Sequence, residues 1–405
     1  MRIAIFGAGI AGPTLAYWLQ RDGHETTIVE RASAFRTGGY MIDFWGVGYE
    51  VAERMGVLPA ILRAGYPISE VRFVDDAGRR AGGFQTAVVR QLLNGRFTSL
   101  PRGDLAAAVY ASLGGRVETV FGVELRSLEE HGRGVIAGFE HGPSRKFDLV
   151  IGADGLHSVV RTLTFGRPGR FERQLGYRVA VFEVPGYRPR DELRYIGHSA
   201  PGRLAARVAL RGDRTMILLV FREDRAPGPE PADGAEAKAQ LRRAFADAGW
   251  ECPRMLDALG GVEDLYFDRV SQIRMHTWSK GRVVLVGDAA ACVSLLAGEG
   301  SGLAMLEAYV LAGELSRTDD PRRAFHHYEQ RLRSFIESKQ ESARRFASAF
   351  APATRLGIWL RNYGTTLLTL PPLARLLIGR GLRDDVALPG YDGATSGGHV
   401  ATAGG

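Results

Sequence analysis

The sequence has little cysteine and lacks long apolar runs. Cys252 and Cys292 are the only cysteines among 405 residues, and they lie far apart outside any C-x-x-C pair. With no histidine cluster beside them, they argue against a disulfide framework and predict no metal site. No run of about 18 apolar residues occurs, so no transmembrane helix is expected. Because a strand is expected from the first residues, no signal peptide is predicted, and a reducing cytoplasm is the expected location.

Dense blocks of basic residues are also absent, although the net charge is +7. The basic residues are mostly arginines spread along the chain, so neither a nucleic acid nor a membrane is an expected partner. We interpret the net positive charge instead as a surface that attracts anionic dinucleotides. With 405 residues, 45% hydrophobic and 24% charged, the chain can bury a large core in two or more structural units.

A glycine motif follows the first apolar run. Gly7, Gly9 and Gly12 have the G-x-G-x-x-G spacing, with Ala11 inside it, between an expected strand and an expected helix. Such glycines permit a tight turn, a close approach to a pyrophosphate and close helix packing. The next expected strand ends in Glu30, whose carboxylate suits ribose hydroxyls and repels a 2′-phosphate. The alternative is a glycine-rich turn of another α/β protein.

A second glycine-rich loop lies at residues 282–302. It contains Gly287-Asp288, then Gly298, Gly300 and Ser301 just before an expected helix. Two widely separated motifs that grip one ligand favour a long, two-headed cofactor that stays bound. We therefore predict FAD rather than a transiently bound nicotinamide cofactor.

A third segment, residues 148–161, is expected to form a strand, a turn at Asp154-Gly155 and a helix. Asp154 is a candidate to shape the loop through a hydrogen bond. Arg161 is a candidate to meet a phosphate or a carboxylate. The alternative is an ordinary strand–turn–helix with a solvated arginine.

These three segments resemble the class A flavoprotein monooxygenases, the family of para-hydroxybenzoate hydroxylase. Within it, residues 38–56 and the ALPGY pattern at 387–391 resemble tetracycline-inactivating and aromatic-polyketide hydroxylating enzymes. The resemblance implies an α/β fold. A Rossmann-like FAD-binding domain would carry an inserted, mostly antiparallel β-sheet substrate domain and a C-terminal helical segment. The expected ranges are 1–68, 99–176 and 265–350 for FAD, 69–98 and 177–264 for substrate, 351–390 for the C-terminal helix and 391–405 for a disordered tail.

The resemblance also implies roles for single residues. Glu30, followed by Arg31, would bind the adenosine ribose, and Arg102 would contact the flavin or its ribityl chain. Asp288 would bind the ribityl chain. The backbone N–H groups of Gly298, Gly300 and Ser301 would face the flavin pyrimidine edge. Asp154 and Arg161 would serve both FAD and NAD(P)H. Where the family often has His and Pro, this chain has Ala291 and Leu295, so a more mobile loop is expected there.

The implied reaction uses NADPH or NADH as co-substrate to reduce FAD, and O₂ then forms a flavin C4a-hydroperoxide. This species would hydroxylate a small polycyclic aromatic or polyketide-type substrate, with tetracycline-like compounds as candidates. No catalytic residue is assigned. Tyr266, His198 and His276 are acid–base candidates, each with a structural role as the alternative. A reductase without oxygen transfer and a non-enzymatic binding protein of the same fold are the rival functions, and a monomer or a homodimer is expected.

The substrate is expected in a cleft between the two domains. Phe44, Trp45, Phe84 and Tyr195 are candidates to stack on a flat substrate, with core packing as the alternative for each. The segment 354–370 is expected to form an amphipathic helix that caps the cleft, and contact with a membrane surface is the less favoured alternative.

Overall fold

The computed structural model describes residues 1–35, 38–369, 371–377, 379, 384 and 386–391, without the side chains of residues 346, 347, 371 and 377. The predicted disordered tail lies, apart from residue 391, outside the described residues. The strands in chain order are β1 (Arg2–Phe6), β2 (Glu25–Glu30), β3 (Met41–Trp45), β4 (Glu70–Val74), β5 (Arg80–Gln85), β6 (Phe97–Pro101), β7 (Glu118–Phe121), β8 (Leu125–His131), β9 (Gly134–Phe139), β10 (Arg145–Phe147), β11 (Leu149–Gly152), β12 (Glu172–Pro185), β13 (Arg194–Ala200), β14 (Arg203–Leu210), β15 (Arg214–Arg222), β16 (Tyr266–Ile273), β17 (Ser279–Lys280) and β18 (Val283–Leu285).

The α-helices in chain order are α1 (Ala11–Arg21), α2 (Gly46–Arg54), α3 (Leu58–Ala64), α4 (Ala87–Leu92), α5 (Arg102–Ala111), α6 (Val159–Phe165), α7 (Gly234–Phe245), α8 (Cys252–Ala258), α9 (Asp288–Ala291), α10 (Gly300–Leu315), α11 (Pro321–Phe350), α12 (Arg355–Leu367) and α13 (Pro371–Leu377). Short 3₁₀ turns occur at Pro168–Arg170, Glu223–Arg225, Leu259–Gly261 and Leu295–Ala297. Among the residues that the structure describes, no helix combines the length and apolarity needed to cross a bilayer.

A six-stranded sheet forms the first layer, in the order β17-β18-β11-β1-β2-β7. Its strands are parallel except for β17, which runs antiparallel to β18. The central strands are apolar and buried, as expected for a sheet covered on both faces. The predicted α/β fold class is therefore confirmed.

The alternating pattern of residues 117–130 predicts antiparallel strands, and for β7 this prediction is wrong. β7 pairs in parallel with β2, with Val29 opposite Val120. Only β8, β9 and β10 form the expected antiparallel ladder. A period-2 pattern identifies a strand but carries no information about the direction of the neighbouring strand. A long crossover connects β2 to β7, as a parallel pair of strands requires.

A seven-stranded sheet forms the second layer, in the order β16-β12-β15-β14-β13-β4-β5. Its pairs are antiparallel, except for the parallel pair of β13 and β4. The predicted hairpin turn at residues 75–78 joins β4 to β5. β16 and the start of β12 belong to this sheet although they lie in ranges assigned to the FAD-binding domain, and the domain division stays a prediction.

Helices cover the remaining faces. α7 and α8 bury an apolar cluster against one face of the seven-stranded sheet. The sequence predicts a linker over the Pro- and Gly-rich residues 226–238 and a short helix near residues 241–248. In the structure α7 already begins at Gly234, because the Asp233 carboxylate caps it by accepting a hydrogen bond from Glu236 N, and this cap outweighs the weak local helix propensity. α10 is buried on nearly all sides between α1, α2 and α11.

Candidate active site

The first glycine motif forms the turn between β1 and α1. Gly7 has φ +112°, and a Cβ atom there would lie 2.3 Å from the carbonyl oxygen of Ala153. A Cβ atom on Gly12 would lie 2.0 Å from the carbonyl oxygen of Gly7. Both glycines are therefore required by contacts within the protein.

Gly9 has a different environment. The nearest atom to a Cβ built there is Nη2 of Arg102, at 3.8 Å. The space beside Gly9 is thus open and faces a guanidinium group. α1 begins immediately beyond, and no side chain caps its N-terminus. Free helical N–H groups, an open backbone and an arginine together suit a pyrophosphate, so the residues present fit the diphosphate of FAD.

Glu30 lies at the end of β2, next to this turn. One carboxylate oxygen accepts a hydrogen bond from Ala8 N at 2.8 Å, and the other accepts from Ala32 N at 2.8 Å. These bonds fix the carboxylate beside the glycine turn. A carboxylate has about four lone-pair sites, so acceptor capacity remains for ribose hydroxyls. Arg31, the next residue, is exposed.

Asp154 binds the start of its own helix. Its carboxylate accepts hydrogen bonds from Ser158 Oγ at 2.5 Å, Val159 N at 2.7 Å and Val160 N at 3.1 Å. The expectation that Asp154 shapes the loop agrees with these bonds. A contact of Asp154 with the cofactor stays a prediction.

Arg161 is buried and donates hydrogen bonds to two protein carbonyls. The acceptors are Ala289 O at 3.0 Å and Leu156 O at 2.6 Å. The side chain therefore connects α6 to α9 in the late glycine-rich loop. It was a candidate to meet a phosphate or carboxylate, and this arrangement gives that role no support. The sequence could not reveal the connection, because its two ends lie far apart along the chain.

The late loop brings Asp288 to the N-terminus of α10. Gly287 has φ +66°, and α9 begins directly after it at Asp288. Oδ1 of Asp288 lies 3.6 Å from a Cβ atom built on Gly300. Gly298 has φ +70° and open space around it, and α10 begins without a side-chain cap. This loop thus presents free N–H groups and one carboxylate to the same cleft.

Leu295, which stands where the family often has proline, begins a 3₁₀ turn in the same loop. Leu295–Ala297 forms this turn, and Ser294 Oγ accepts a weak hydrogen bond from Leu296 N at 3.3 Å. The neighbouring Ala291 is buried. The expected mobility of this loop stays a prediction.

A cleft with about 500 Å³ of open space, including solvent at its mouth, lies where the seven-stranded sheet, the start of β3 and the late loop meet. It is lined by residues from β3, β16, the late loop and their surroundings: Tyr40, Ile42, Leu156, Tyr266, Arg269, Ser271, Asp288, Cys292, Ser294, Leu295, Gly298, Gly300 and Ser301. The antiparallel sheet therefore forms one wall, and residues predicted to bind the flavin form the opposite wall. Such interfaces between structural layers are common ligand sites.

Two tyrosines face each other in this cleft. The ring centroids of Tyr40 and Tyr266 lie 6.0 Å apart. Burial raises the pKa of Tyr40 to about 12, and burial also raises the pKa of Tyr266. Both phenols are therefore neutral near pH 7 and can donate a hydrogen bond. Tyr266 was an acid–base candidate from the sequence, whereas Tyr40 was missed although it lies in the segment quoted for the subgroup resemblance.

Asp268 links Tyr266 to the surface. Its Oδ2 lies 3.4 Å from the Tyr266 hydroxyl and 3.0 Å from Nε2 of His157. The hydrogen bond to Asp268 raises the pKa of His157, whose side chain is largely exposed. The three side chains thus form a path for a proton between the cleft and solvent.

The other acid–base candidates lie elsewhere. His198 is buried in the seven-stranded sheet, where Nε2 lies 2.8 Å from Oδ1 of Asp76. His276 is exposed, and its backbone oxygen accepts a hydrogen bond from Arg333. Neither histidine lines the cleft between the sheets.

The four aromatic candidates do not line the 500 Å³ cleft. Phe44 is 1% exposed and packs in the core, and Tyr195 is shielded beside Asp43. Phe84 packs on the small apolar cluster formed by Val88, Leu368 and Ala374. Trp45 lines a second, smaller cleft of about 280 Å³. Core packing, the stated alternative, describes most of them, because aromatic composition does not determine which way a ring points.

A buried carboxyl group forms a hydrogen bond with the backbone of the late loop. Glu307 on α10 accepts a hydrogen bond from Gly287 N at 2.7 Å and another from the Tyr328 hydroxyl at 2.9 Å. Burial raises the pKa of Glu307 to about 8. The sequence analysis did not identify Glu307, although a glutamate in a largely apolar helix was a usable signal.

Known proteins share this arrangement of motifs. A family described as "FAD binding domain" matches residues 1–337. A flavin-dependent monooxygenase from an unknown prokaryotic organism is 33% identical over 84% of this chain and 87% of that protein. The FAD-dependent monooxygenase asL4 of Sarocladium schorii is 30% identical over 91% of this chain and 93% of its own length. The crystal structure of the tetracycline destructase Tet(51) has a TM-score of 0.83 at 29% identity, over 96% of this chain and 99% of that one.

The resemblance that the three motifs indicated is thereby confirmed, and so is FAD as the cofactor. The match spans both glycine-rich motifs and the segment at Asp154-Gly155. The chain belongs to the FAD-binding-domain family of class A flavoprotein monooxygenases, and it is a flavin-dependent monooxygenase.

Proposed function

We propose that the enzyme uses NADPH or NADH and O₂ to hydroxylate a polycyclic aromatic or polyketide-type small molecule, in the cytoplasm. The cleft between the late loop and the antiparallel sheet carries this proposal, because it joins flavin-binding residues to a wall able to hold a substrate. The overall similarity to a tetracycline destructase supports tetracycline-like compounds as the first substrates to test.

The proposed FAD site runs from the first glycine turn to the late loop. Glu30 holds the adenosine ribose, and the N-terminus of α1 holds the diphosphate. Asp288 binds the ribityl chain, and the N–H groups at the start of α10 stabilise negative charge at the pyrimidine edge. The proposed contact residues are Gly7, Gly9, Ala11, Gly12, Glu30, Arg31, Arg102, Asp154, Asp288, Gly298, Gly300 and Ser301. Bound FAD supplies the electron transfer from the nicotinamide and the activation of O₂.

The substrate side of the cleft belongs to β16. Tyr266, Arg269 and Ser271 of this strand line the cleft. The Arg269 guanidinium also lies 3.0 Å from Glu223 and 2.9 Å from Glu230. The Tyr266 phenol is the acid–base group that we favour, because it lines the cleft and contacts Asp268. In a concerted relay, the Tyr266 oxygen would accept the proton of a phenolic substrate while its own hydroxyl proton passes to Asp268, and His157 would exchange that proton with solvent.

The first experiment is a spectrum of the purified protein, followed by NADPH and NADH oxidation in air with polycyclic phenols and tetracyclines. Flavin absorbance, substrate-stimulated oxidation and a product heavier by one oxygen atom are expected. Oxidation without an oxygenated product across the panel would favour the reductase alternative. Protein that cannot be loaded with FAD would overturn the proposal.

A pair of variants tests the flavin site itself. Arg102→Met is expected to weaken FAD binding by about 10- to 100-fold, because a charged hydrogen-bond donor beside the diphosphate is lost. Arg243→Met, on an exposed face of α7, is the matched control and should bind FAD normally. Equal affinities in the two variants would contradict the assignment of Arg102.

A further inference from the structure

α12 presents a row of large apolar side chains to solvent. Leu356 is 66% exposed, Trp359 60%, Leu360 54% and Tyr363 57%. We call these four residues the α12 stripe. Their spacing of three and four residues places them on one face of the helix. The rings of Trp359 and Tyr363 are stacked, with centroids 5.6 Å apart and planes 8° from parallel.

The opposite face of α12 is polar and faces the protein. Asn362 is buried, and Gly83 N donates a hydrogen bond to Oγ1 of Thr365 at 3.2 Å. Arg361 lies 3.7 Å from the ring centroid of Phe73 and donates a hydrogen bond to Ser199 Oγ. The helix therefore has its polar face inward and its apolar face outward, the reverse of a helix that covers a hydrophobic core.

α13 continues this pattern. Its Ala374 is buried with Leu368 against Val88 of α4, which fixes the inner side of the segment. Leu376 is 76% exposed, and Arg375 beside it is also exposed. Contiguous apolar exposure of this kind marks an interaction surface rather than ordinary surface.

The charge of the segment indicates the partner. Residues 353–383 contain five arginines and no aspartate or glutamate: Arg355, Arg361, Arg375, Arg380 and Arg383. Arg355, at the start of α12, is exposed next to the stripe. An apolar face with tryptophan and tyrosine, flanked by arginine without acidic residues, is the composition of helices that lie in the interface of an anionic bilayer.

We propose that the α12 stripe docks on a membrane surface that contains anionic lipids, with α12 lying in the headgroup region. Trp359, Leu360 and Tyr363 would enter the acyl boundary, and Arg355 and Arg375 would contact lipid phosphates. This association is peripheral, in keeping with the absence of a spanning helix among the described residues. It departs from the sequence-based prediction of no membrane partner, and it does not depend on the proposed substrate.

A second copy of the chain fits this surface less well. A symmetric contact would bring the exposed arginines of both copies together with no carboxylate in the segment to neutralise them. A stable interface also involves about 20 to 30 residues on each side, far more than the stripe offers. A lipid surface needs neither a complementary carboxylate nor a large flat area.

The test is co-sedimentation of the FAD-loaded enzyme with vesicles of phosphatidylcholine, with or without roughly 30 mol% phosphatidylglycerol. Binding to the anionic vesicles is expected to be at least about tenfold tighter and to weaken at high salt. The double variant Trp359→Ser/Tyr363→Ser should lose at least about tenfold in vesicle affinity. Leu62→Ser is its matched control, because Leu62 is 46% exposed on α3.

A second pair of variants isolates the charge. Arg355→Gln/Arg375→Gln should reduce the preference for anionic vesicles, whereas Arg242→Gln/Arg243→Gln on α7 should not. Equal binding by the stripe variant and its control would overturn the proposal. The proposal would also be overturned if light scattering showed a wild-type dimer that dissociates in the stripe variant and the wild type did not bind vesicles. FAD content and NADPH oxidation, measured in parallel, keep this outcome separate from any failure of the proposed function.

Discussion

Glycine is needed at the three positions of the first motif for different steric reasons. Gly7 and Gly12 are needed because a side chain would overlap backbone carbonyls of the protein itself. Gly9 faces open space and the Arg102 guanidinium, so a methyl group there meets only the position proposed for the cofactor. At the scale of single residues, folding and binding are therefore predicted to be separable within one motif.

Replacement of these glycines by alanine should distinguish the two roles. Gly9→Ala is expected to leave the thermal stability of the apoprotein almost unchanged but to weaken FAD binding at least about tenfold, because the backbone can no longer approach the diphosphate. Gly12→Ala should destabilise the apoprotein by roughly 1–3 kcal/mol through overpacking against Gly7. Calorimetry of the apoprotein and fluorescence titration with FAD measure both effects. A Gly9→Ala apoprotein that unfolds as readily as Gly12→Ala would contradict this division.

Tyr266 carries the proposed proton transfer. Tyr266→Phe keeps the ring and removes only the hydroxyl, so kcat for a phenolic substrate should fall by about 100-fold or more, with little change in KM. The ratio of oxygenated product to NADPH consumed should also fall. Tyr110→Phe, on α5 and outside the cleft, is the control. An unchanged kcat would assign the proton transfer to another group.

At the scale of elements, Glu307 joins three parts of the FAD-binding layer. It lies on α10, its carboxylate holds the turn before α9, and it receives the hydroxyl of Tyr328 from α11. The turn that carries Asp288 is thus positioned by a helix that follows it in sequence. Because Glu307 is buried, its neutral form is favoured in the folded state.

This carboxyl group should make stability depend on pH. Its pKa is raised from 4.5 to about 8 on folding, so its contribution is complete below about 4.5 and is lost as the pH rises through 8. Across that window the free energy of unfolding of the wild type should fall relative to Glu307→Gln, by at most about 1.4 kcal/mol per pH unit. Gln retains an acceptor for Gly287 N. Urea denaturation at a series of pH values measures the difference, and parallel curves for the two proteins would refute the assignment.

At the scale of the whole molecule, Lys339 connects regions that are distant in sequence. Its Nζ lies 2.9 Å from Oε2 of Glu299 and 2.8 Å from Oδ1 of Asp384. Asp384 also accepts a hydrogen bond from Val47 N at 2.8 Å. A single buried lysine thus joins α11, the late loop and α2 through a residue near the C-terminus.

Lys339→Met should cost about 3–5 kcal/mol of unfolding free energy, because two largely buried carboxylates, with side chains 21% and 11% exposed, lose their cation. Lys146→Met, at an exposed position of β10, should cost almost nothing. The double variant Lys339→Met/Glu299→Gln should recover part of the loss, since one unpaired charge is removed. Chemical denaturation provides the values. A loss below about 0.5 kcal/mol for Lys339→Met would show that solvent already screens the cluster.

The flavin-binding motifs could be predicted because each depends on contiguous residues. The spacing of Gly7, Gly9 and Gly12 imposes its own backbone geometry, and the strand and helix on either side follow from local periodicity. The cleft could not be predicted to the same degree. Tyr40, just before β3, and Tyr266, the first residue of β16, meet only through tertiary packing, and no local pattern records that meeting.

The sequence by itself determined the cofactor class and the order of the motifs, since these rest on residue types at fixed spacing, and its resemblance to a known family implied the α/β architecture. Tertiary structure alone decided the parallel direction of β7, the use of Arg161 to connect α6 with α9, and the orientation of α12. Periodicity identifies which residues share a helical face. Whether that face points inward depends on the surface that receives it, and here β5 and β13 receive the polar side of α12.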